Sequence, residues 1–258
     1  MHTRVHGLNL EAKGSSAMTT MFSFEGARVL VVGGSSGLGR ATAAAFAGAG
    51  ASVTIASRSR DKLDAAARAV GAGVAASVLD VTDDAAVEAF FAPPAEPWDH
   101  VVVTAAQAPG GPARTLPLAD AYQAMHSKFW GAYRVARVVR IRDGGSLTLV
   151  SGVLAIRPRG TSVLQGAINA ALDALARGLA LELAPVRVNS VSPGMIDTEL
   201  WDRLGDDARR TLHAETAQRL PVRRVGRADD VARAVLYLAG NGYATGTTAV
   251  VDGGTAIA

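Results

Sequence analysis

Gly33-Gly34-Ser35-Ser36-Gly37-Leu38-Gly39 lies between the apolar run Ala27 to Val32 and an alanine-rich, helix-forming segment, Arg40 to Ala49. A strand, a tight glycine turn and a helix N-terminus follow one another there, the order that receives a dinucleotide pyrophosphate. Glycine at 33, 37 and 39 lets the backbone take positive φ and approach a phosphate, while the positive end of the following helix faces the charge. An ordinary strand-to-helix turn is the competing reading, but it does not call for three glycines at this spacing.

Beyond the turn, strands and helices alternate. Apolar runs predict strands over 28–33, 52–57, 74–80, 98–104, 146–151, 187–191 and 247–251, and helical patterns fall at 37–49, 60–70, 83–92, 118–139, 162–183, 198–219 and 228–239. Near-continuous Val, Ile and Leu runs separated by helices imply a parallel sheet covered on both faces. The expected fold is therefore α/β: a doubly wound (Rossmann) sheet of seven parallel strands with helices on both faces, in a single domain. With 258 residues, 49% of them hydrophobic, the chain can bury one substantial core. The expected division is a disordered leader over 1–20, a dinucleotide-binding and catalytic domain over 21–258, and a substrate lid at about 195–220 within it. Ala92-Pro93-Pro94-Ala95-Glu96-Pro97 reads as a rigid connector.

Composition excludes several partners. The net charge of +3 rests on 23 arginines and three lysines, Lys13, Lys62 and Lys128, with no basic run longer than two residues. Nucleic acid, which needs a clustered basic face, is not the expected partner. The stretch 163–183 is interrupted by Gln165, Asn169, Asp173, Arg177 and Glu182, so it reads as a buried soluble helix and not a membrane span. With no cysteine there is no thiolate site or disulfide; a cytoplasmic home is expected, and no metal site.

Several segments together resemble the short-chain dehydrogenase/reductase family over about residues 24 to 258. They are the glycine turn, Asp80-Val81-Thr82-Asp83, Asn189-Ser190-Val191-Ser192-Pro193-Gly194 with Thr198 after it, and Tyr243-Ala244-Thr245-Gly246 with Val251-Asp252-Gly253-Gly254. The resemblance implies a nicotinamide cofactor held by Gly33, Ser35, Ser36, Gly37, Leu38 and Gly39 at the pyrophosphate. It places Asp80 and Val81 beside the adenine, Thr104, Ala105 and Ala106 by the ribose, and Pro193, Gly194, Ile196 and Thr198 over the nicotinamide. Ser57 and Arg58 stand where relatives that prefer NAD hold an acid. A hydroxyl and a guanidinium there accept a 2′-phosphate, so NADP(H) is expected over NAD(H); a solvated Arg58 is the alternative. Val32 replaces a usual threonine, and Gln107 replaces a glycine.

The family's catalytic residues do not carry over. Residues 170–183 fix the register, which puts Asn169 at the lysine position, Gln165 at the tyrosine, Gly152 at the serine with Ser151 one place early, and Lys128 at the asparagine. Asn-Ser-Tyr-Lys has become Lys-Gly-Gln-Asn. Gln165 has no proton to give near neutral pH, and Asn169 carries no charge. Lys128 is the expected compensation, reaching the cleft from a neighbouring helix with a lowered pKa. It competes with a lysine that snorkels to solvent or fills the asparagine's space. Lys128, Gln165, Asn169 and Ser151 are thus the candidate catalytic residues. Tyr122 with His126, the lid residue His213, and Arg157 with Arg159 at the mouth are weaker candidates, and Tyr133 with Arg137 reads as interface. Two functions follow: an atypical NADP(H)-dependent oxidoreductase acting on a small carbonyl or alcohol, or a catalytically inactive, nucleotide-binding or regulatory relative. Apolar surface on the helices over 118–139 and 162–183 implies a homodimer or homotetramer.

Overall fold

The computed structural model describes residues 22–93, 96–107 and 109–258. The leader over 1–20 and part of the proline-rich connector lie outside the described residues. Seven strands form one parallel sheet: β1 (Arg28–Val32), β2 (Ser52–Ser57), β3 (Ala75–Val78), β4 (Trp98–Val103), β5 (Ile141–Val150), β6 (Arg187–Pro193) and β9 (Thr248–Val251), in the order β3-β2-β1-β4-β5-β6-β9. Consecutive strands are joined through α1 (Gly37–Gly48), α2 (Arg60–Val70), α3 (Asp84–Phe91), α4 (Leu118–Ala124) with α5 (Gly131–Val138), α6 (Val163–Glu182), and α7 (Asp206–Arg219) with α8 (Ala228–Gly240).

Alternation along each strand divides the core in two. Leu30, Val32, Val101, Val103, Leu147 and Leu149 face α3, α5 and α6, whereas Val29, Val31, Ile55, Val102 and Val191 face α1 and α8. Both faces are sealed, which is why these strands read as unbroken apolar runs.

Two of the expected helices need correction. The helix over 118–139 is not one regular helix: a π-helical turn, Met125–Trp130, joins α4 to α5. Such a bulge adds a residue without changing composition, so periodicity does not reveal it. The helix expected over 198–219 breaks at Gly205, where φ is +74°, into a 3₁₀ segment, Glu199–Leu204, and α7. A two-stranded parallel pair, β7 (Ile196–Asp197) with β8 (Gly226–Arg227), ties the two ends of this segment together and is too short to be seen as a pattern.

His100 enters the core from β4. Its ring lies between Phe24 and Phe46, 5.2 and 6.1 Å from their centroids, with Nδ1 2.9 Å from Ser146 Oγ. Burial, with Arg187 adding repulsion, pushes its pKa down to about 4. The fold holds it neutral, so the stability it contributes is present above the ordinary histidine value and is lost as pH falls from about 6.5 through about 4. A loss of about 2 kcal/mol is expected between pH 7 and pH 4.5. In chemical denaturation, His100→Phe should flatten that slope.

Candidate functional site

The sheet order reverses between β1 and β4, and crevices outside the carboxyl ends of strands at such a point receive ligands in doubly wound folds. The glycine turn sits there. A Cβ on Gly39 would lie 2.2 Å from Gly33 O, and one on Gly33 would lie 2.5 Å from Ala105 N and Thr104 Oγ1. Turn and β4 end are thus packed backbone to backbone, and Thr104 N and Ala105 N both donate to Val32 O, at 2.8 and 3.1 Å. Ser35, Ser36 and Leu38 complete the turn. Ser36 is the N-cap of α1 in extended conformation and makes no side-chain capping bond, leaving the amides ahead of it for another acceptor.

One of those amides is already engaged. Glu199, at the start of the 3₁₀ segment, accepts from Gly37 N at 3.0 Å and pairs with Arg40, while Thr198 packs against Gly37. The segment after β7 is folded down on α1, along an open cleft of about 590 Å³ lined by Arg40, Thr198, Glu199 and Arg209 among others. Nothing in the local sequence marks Glu199, because its partner is 162 residues away.

Just past β3, Asp80 Oδ1 accepts from Thr82 N and Thr82 Oγ1 at 2.9 and 2.7 Å. Burial alone would push its carboxyl up, but those bonds, with Arg58 and His126 nearby, hold it below the ordinary aspartate value. Val81 is buried against Gly131. Ser57 Oγ is buried with no hydrogen-bond partner among the described residues, beside an exposed Arg58. Ala106 and Gln107 are exposed; Gln107 Oε1 accepts from Gln123 at 3.3 Å and Gln107 N donates to Ser127 Oγ at 3.0 Å. Pro193 ends β6, Gly194 N donates to Val251 O, and Ile196 is buried in β7.

Lys128 projects inward from the π-helical turn. Its Nζ donates to Asn169 Oδ1 at 2.6 Å and to Ser151 O at 2.9 Å. Burial pushes its pKa down to about 8, with Asp173 pulling the other way. Asn169 is 4% exposed. A Cβ on Gly152 would lie 2.7 Å from Asn169 Nδ2, so the amide fills the space where the resemblance puts a serine side chain. Ser151 contributes a carbonyl, not a hydroxyl: its Oγ and N both donate to Val191 O, at 3.2 and 2.9 Å.

Gln165 lies one turn before Asn169 on the same face of α6. Its Nε2 donates to Pro109 O at 2.6 Å, and Gly110 is so close that a Cβ there would lie 2.4 Å from Nε2. The loop after β4 is therefore drawn over the place the resemblance gives to tyrosine. One turn further, Asp173 is buried; its Oδ1 accepts from Ser190 Oγ at 2.7 Å, and Ser190 Oγ lies 2.7 Å from Thr248 Oγ1. The 165, 169, 173 spacing is an i, i+4, i+8 polar stripe in the sequence, and Asp173 carries it one turn beyond the candidate residues Gln165 and Asn169.

The weaker candidates lie elsewhere. Tyr122 is 69% exposed, and His126 turns to Arg134 instead of Tyr122. Arg137 pairs with Glu88. His213, on α7, has its Nδ1 3.9 Å from Asp197 of β7. Arg157 and Arg159 are exposed. Among the described residues, no cluster of His, Asp and Glu is arranged to hold a metal, and no helix is long and apolar enough to cross a membrane.

Comparison with known proteins gives consistent similarities. A family model described as Enoyl-(Acyl carrier protein) reductase matches residues 32–256. Short-chain dehydrogenase/reductase ATR9 of Stachybotrys chlorohalonatus is 34% identical over 91% of this chain and 98% of its own length. A small-chain dehydrogenase solved in complex with NADPH shares 33% identity and a TM-score of 0.75, covering 91% of this chain and all of that one. An NADPH-bound short-chain oxidoreductase from Pseudomonas aeruginosa PAO1, described as containing an atypical catalytic center, shares 30% identity and a TM-score of 0.82 over 89% of this chain and 96% of that one.

Proposed function

The chain belongs to the short-chain dehydrogenase/reductase family, and from that premise we propose that it is an NADP(H)-dependent oxidoreductase in which Lys128 replaces the usual proton donor. The observation that carries this reading is the Lys128 ammonium, half-enclosed beside Asn169 and Gly152 with a pKa of about 8.

The residues present fit the cofactor. Gly33 and Gly39 leave room that a Cβ would close, the α1 amides offer donors, and Ser57 Oγ is a buried hydroxyl without a partner among the described residues. Gly37, Leu38 and Gly39 would hold the pyrophosphate, Ser57 and Arg58 the 2′-phosphate, and Asp80, Val81 and Thr104 to Ala106 the adenosine side. Pro193, Gly194, Ile196 and Thr198 would cover the nicotinamide. When bound, NADPH supplies a hydride to the carbonyl carbon. The C=O π pair moves to oxygen, and Lys128 gives that oxygen a proton, becoming a neutral amine that regains its proton from water. An ammonium with a pKa of about 8 suits both directions at neutral pH. Glu199 must leave Gly37 N for the pyrophosphate to take the same amide.

NADPH titration followed by NADPH oxidation over a panel containing an aliphatic aldehyde, an aryl ketone and a β-keto ester tests this reading. The absence of saturable binding removes both redox chemistry and nucleotide sensing. Arg58→Asp should weaken NADPH binding 10- to 100-fold while NADH changes little, since a charge-assisted bond contributes about 1.5–3 kcal/mol. Equal losses for both nucleotides in calorimetry would refute the assignment of Arg58 to the 2′-phosphate.

The second reading, a nucleotide-binding or regulatory relative without turnover, is favoured by one observation: Gln165 holds the Pro109 loop over the tyrosine's place. Binding of NADPH with no consumption over the whole panel would select it.

We also infer a cytoplasmic homodimer or homotetramer. Supporting this, Trp130 and Tyr133 are 45% and 41% exposed and form an edge-on aromatic row with Phe129 along the π turn and α5. Val163, at the start of α6, is also exposed.

A further inference from the structure

We propose that Asn169 is the residue that holds the substrate oxygen, its Nδ2 standing in for the family's serine hydroxyl and its orientation locked by Lys128. This rests on the oxidoreductase reading and adds a residue to it. An ammonium has donors and no acceptor, so the amide atom 2.6 Å from Lys128 Nζ must be Oδ1. That leaves no freedom for the amide to flip, and Nδ2 must face the other way. It faces Gly152, 2.7 Å from where a Cβ would stand. Glycine at 152 is therefore complementary to Asn169: any side chain there would collide with the amide.

The arrangement polarises the donor. A positive charge on Oδ1 draws electron density toward the carbonyl end of the amide and makes the Nδ2 protons better donors. Lys128 spends two of its three protons on Asn169 and Ser151 O, which fixes its position and leaves one to transfer. Oxygen-holding and proton-giving would thus come from two residues on different helices, joined by one 2.6 Å bond. Placed where charge develops on the substrate oxygen, such a donor contributes about 10²- to 10³-fold in kcat.

The test uses NADPH-loaded protein. Asn169→Asp keeps the shape and the bond to Lys128 but presents an acceptor in place of the donor; Asn169→Leu removes both. Each should lower kcat at least 100-fold on the best substrate of the carbonyl panel, with NADPH Kd within about threefold of wild type. Asn169→Ala combined with Gly152→Ser vacates the space and supplies a hydroxyl, and should recover at least tenfold over Asn169→Ala. Independently of turnover, the Asn169 side-chain NH₂ resonances should move when acetophenone is titrated into the NADPH complex. A kcat within threefold of wild type in Asn169→Leu, or NH₂ resonances that stay fixed at saturating ketone, overturns the assignment. A wild-type protein that binds NADPH but consumes none instead overturns the oxidoreductase reading on which it stands.

Discussion

Lys128→Met is expected to cut carbonyl reduction by 10²- to 10⁴-fold, the range for a positioned general acid, while NADPH affinity stays within about twofold. The pH dependence supplies a signature that a structural lysine would lack. Reduction needs the ammonium, so kcat should be level below the lysine's pKa and fall as pH rises through about 8. Alcohol oxidation needs the free amine and should rise through the same value. Lys128→Arg retains a cation that does not titrate in this range, so whatever rate survives should lose that limb. Stability separates the roles further. The folded pKa lies below the ordinary 10.5, so the lysine's contribution is full only above that value and is lost as pH falls through about 8. At neutral pH the buried charge therefore costs up to about 3 kcal/mol. Replacing it strands Ser151 O and Asn169 Oδ1, at about 1–3 kcal/mol. These nearly cancel, so Lys128→Met should melt within a few degrees of wild type while turning over hardly at all. Unchanged kcat in this variant would return Lys128 to the role of a space-filling residue.

What the sequence disclosed and what it hid follow a physical division. Features set by local chemistry were legible: the strand over 52–57 and the helix over 60–70 have the bounds expected from their apolar and helical patterns. The glycine turn is a steric demand written in residue types, and Gly33 and Gly39 meet backbone and Thr104 at distances only glycine permits. β5 is less regular. It begins at Ile141, five residues before the expected 146, because a register shift against β4 between Trp98 and His100 lets an Arg-Asp-Gly-Gly segment join the sheet. The site was legible where register along α6 sufficed, as for Gln165 and Asn169. It was hidden where two distant segments meet: Glu199 on the α1 amide, Pro109 on Gln165, and Asp173 in a chain through Ser190 to Thr248. The π-helical turn that aims Lys128 is the sharpest case, since one added residue redirects a side chain without altering the pattern around it.

Arg187 shows the same limit, since its partners lie 51 to 57 residues away in the sequence. Among 23 arginines it is the one that opens β6, and it is 7% exposed. Its Nη1 donates to Leu238 O at 2.6 Å, Asn241 O at 2.9 Å and Ala244 O at 3.3 Å, and its Nη2 to Ala239 O at 2.6 Å. Leu238 and Ala239 lie in the last turn of α8, whose carbonyls have no partner within the helix and carry its negative end. One guanidinium thus caps α8 and pins the 241–244 turn to β6, where Asn189 continues the staple through Ala244 O and Thr247 N. Arg187→Met should destabilise the fold by about 3–5 kcal/mol, because stranding buried carbonyls costs about 1–3 kcal/mol each and relaxation recovers part of that. In a domain of this size the melting temperature should fall by about 10 °C. Arg187→Lys should fall nearly as far, since an ammonium cannot span four carbonyls in two groups. Amide exchange should accelerate first at the α8 C-terminus and along β9, whose pairing with β6 begins at Ser190 and Thr248. Because β6 ends at Pro193, next to Gly194 and ahead of the segment proposed to cover the nicotinamide, NADPH affinity should weaken together with that exchange; a variant that melts normally and keeps these amides protected would show that the four contacts contribute little.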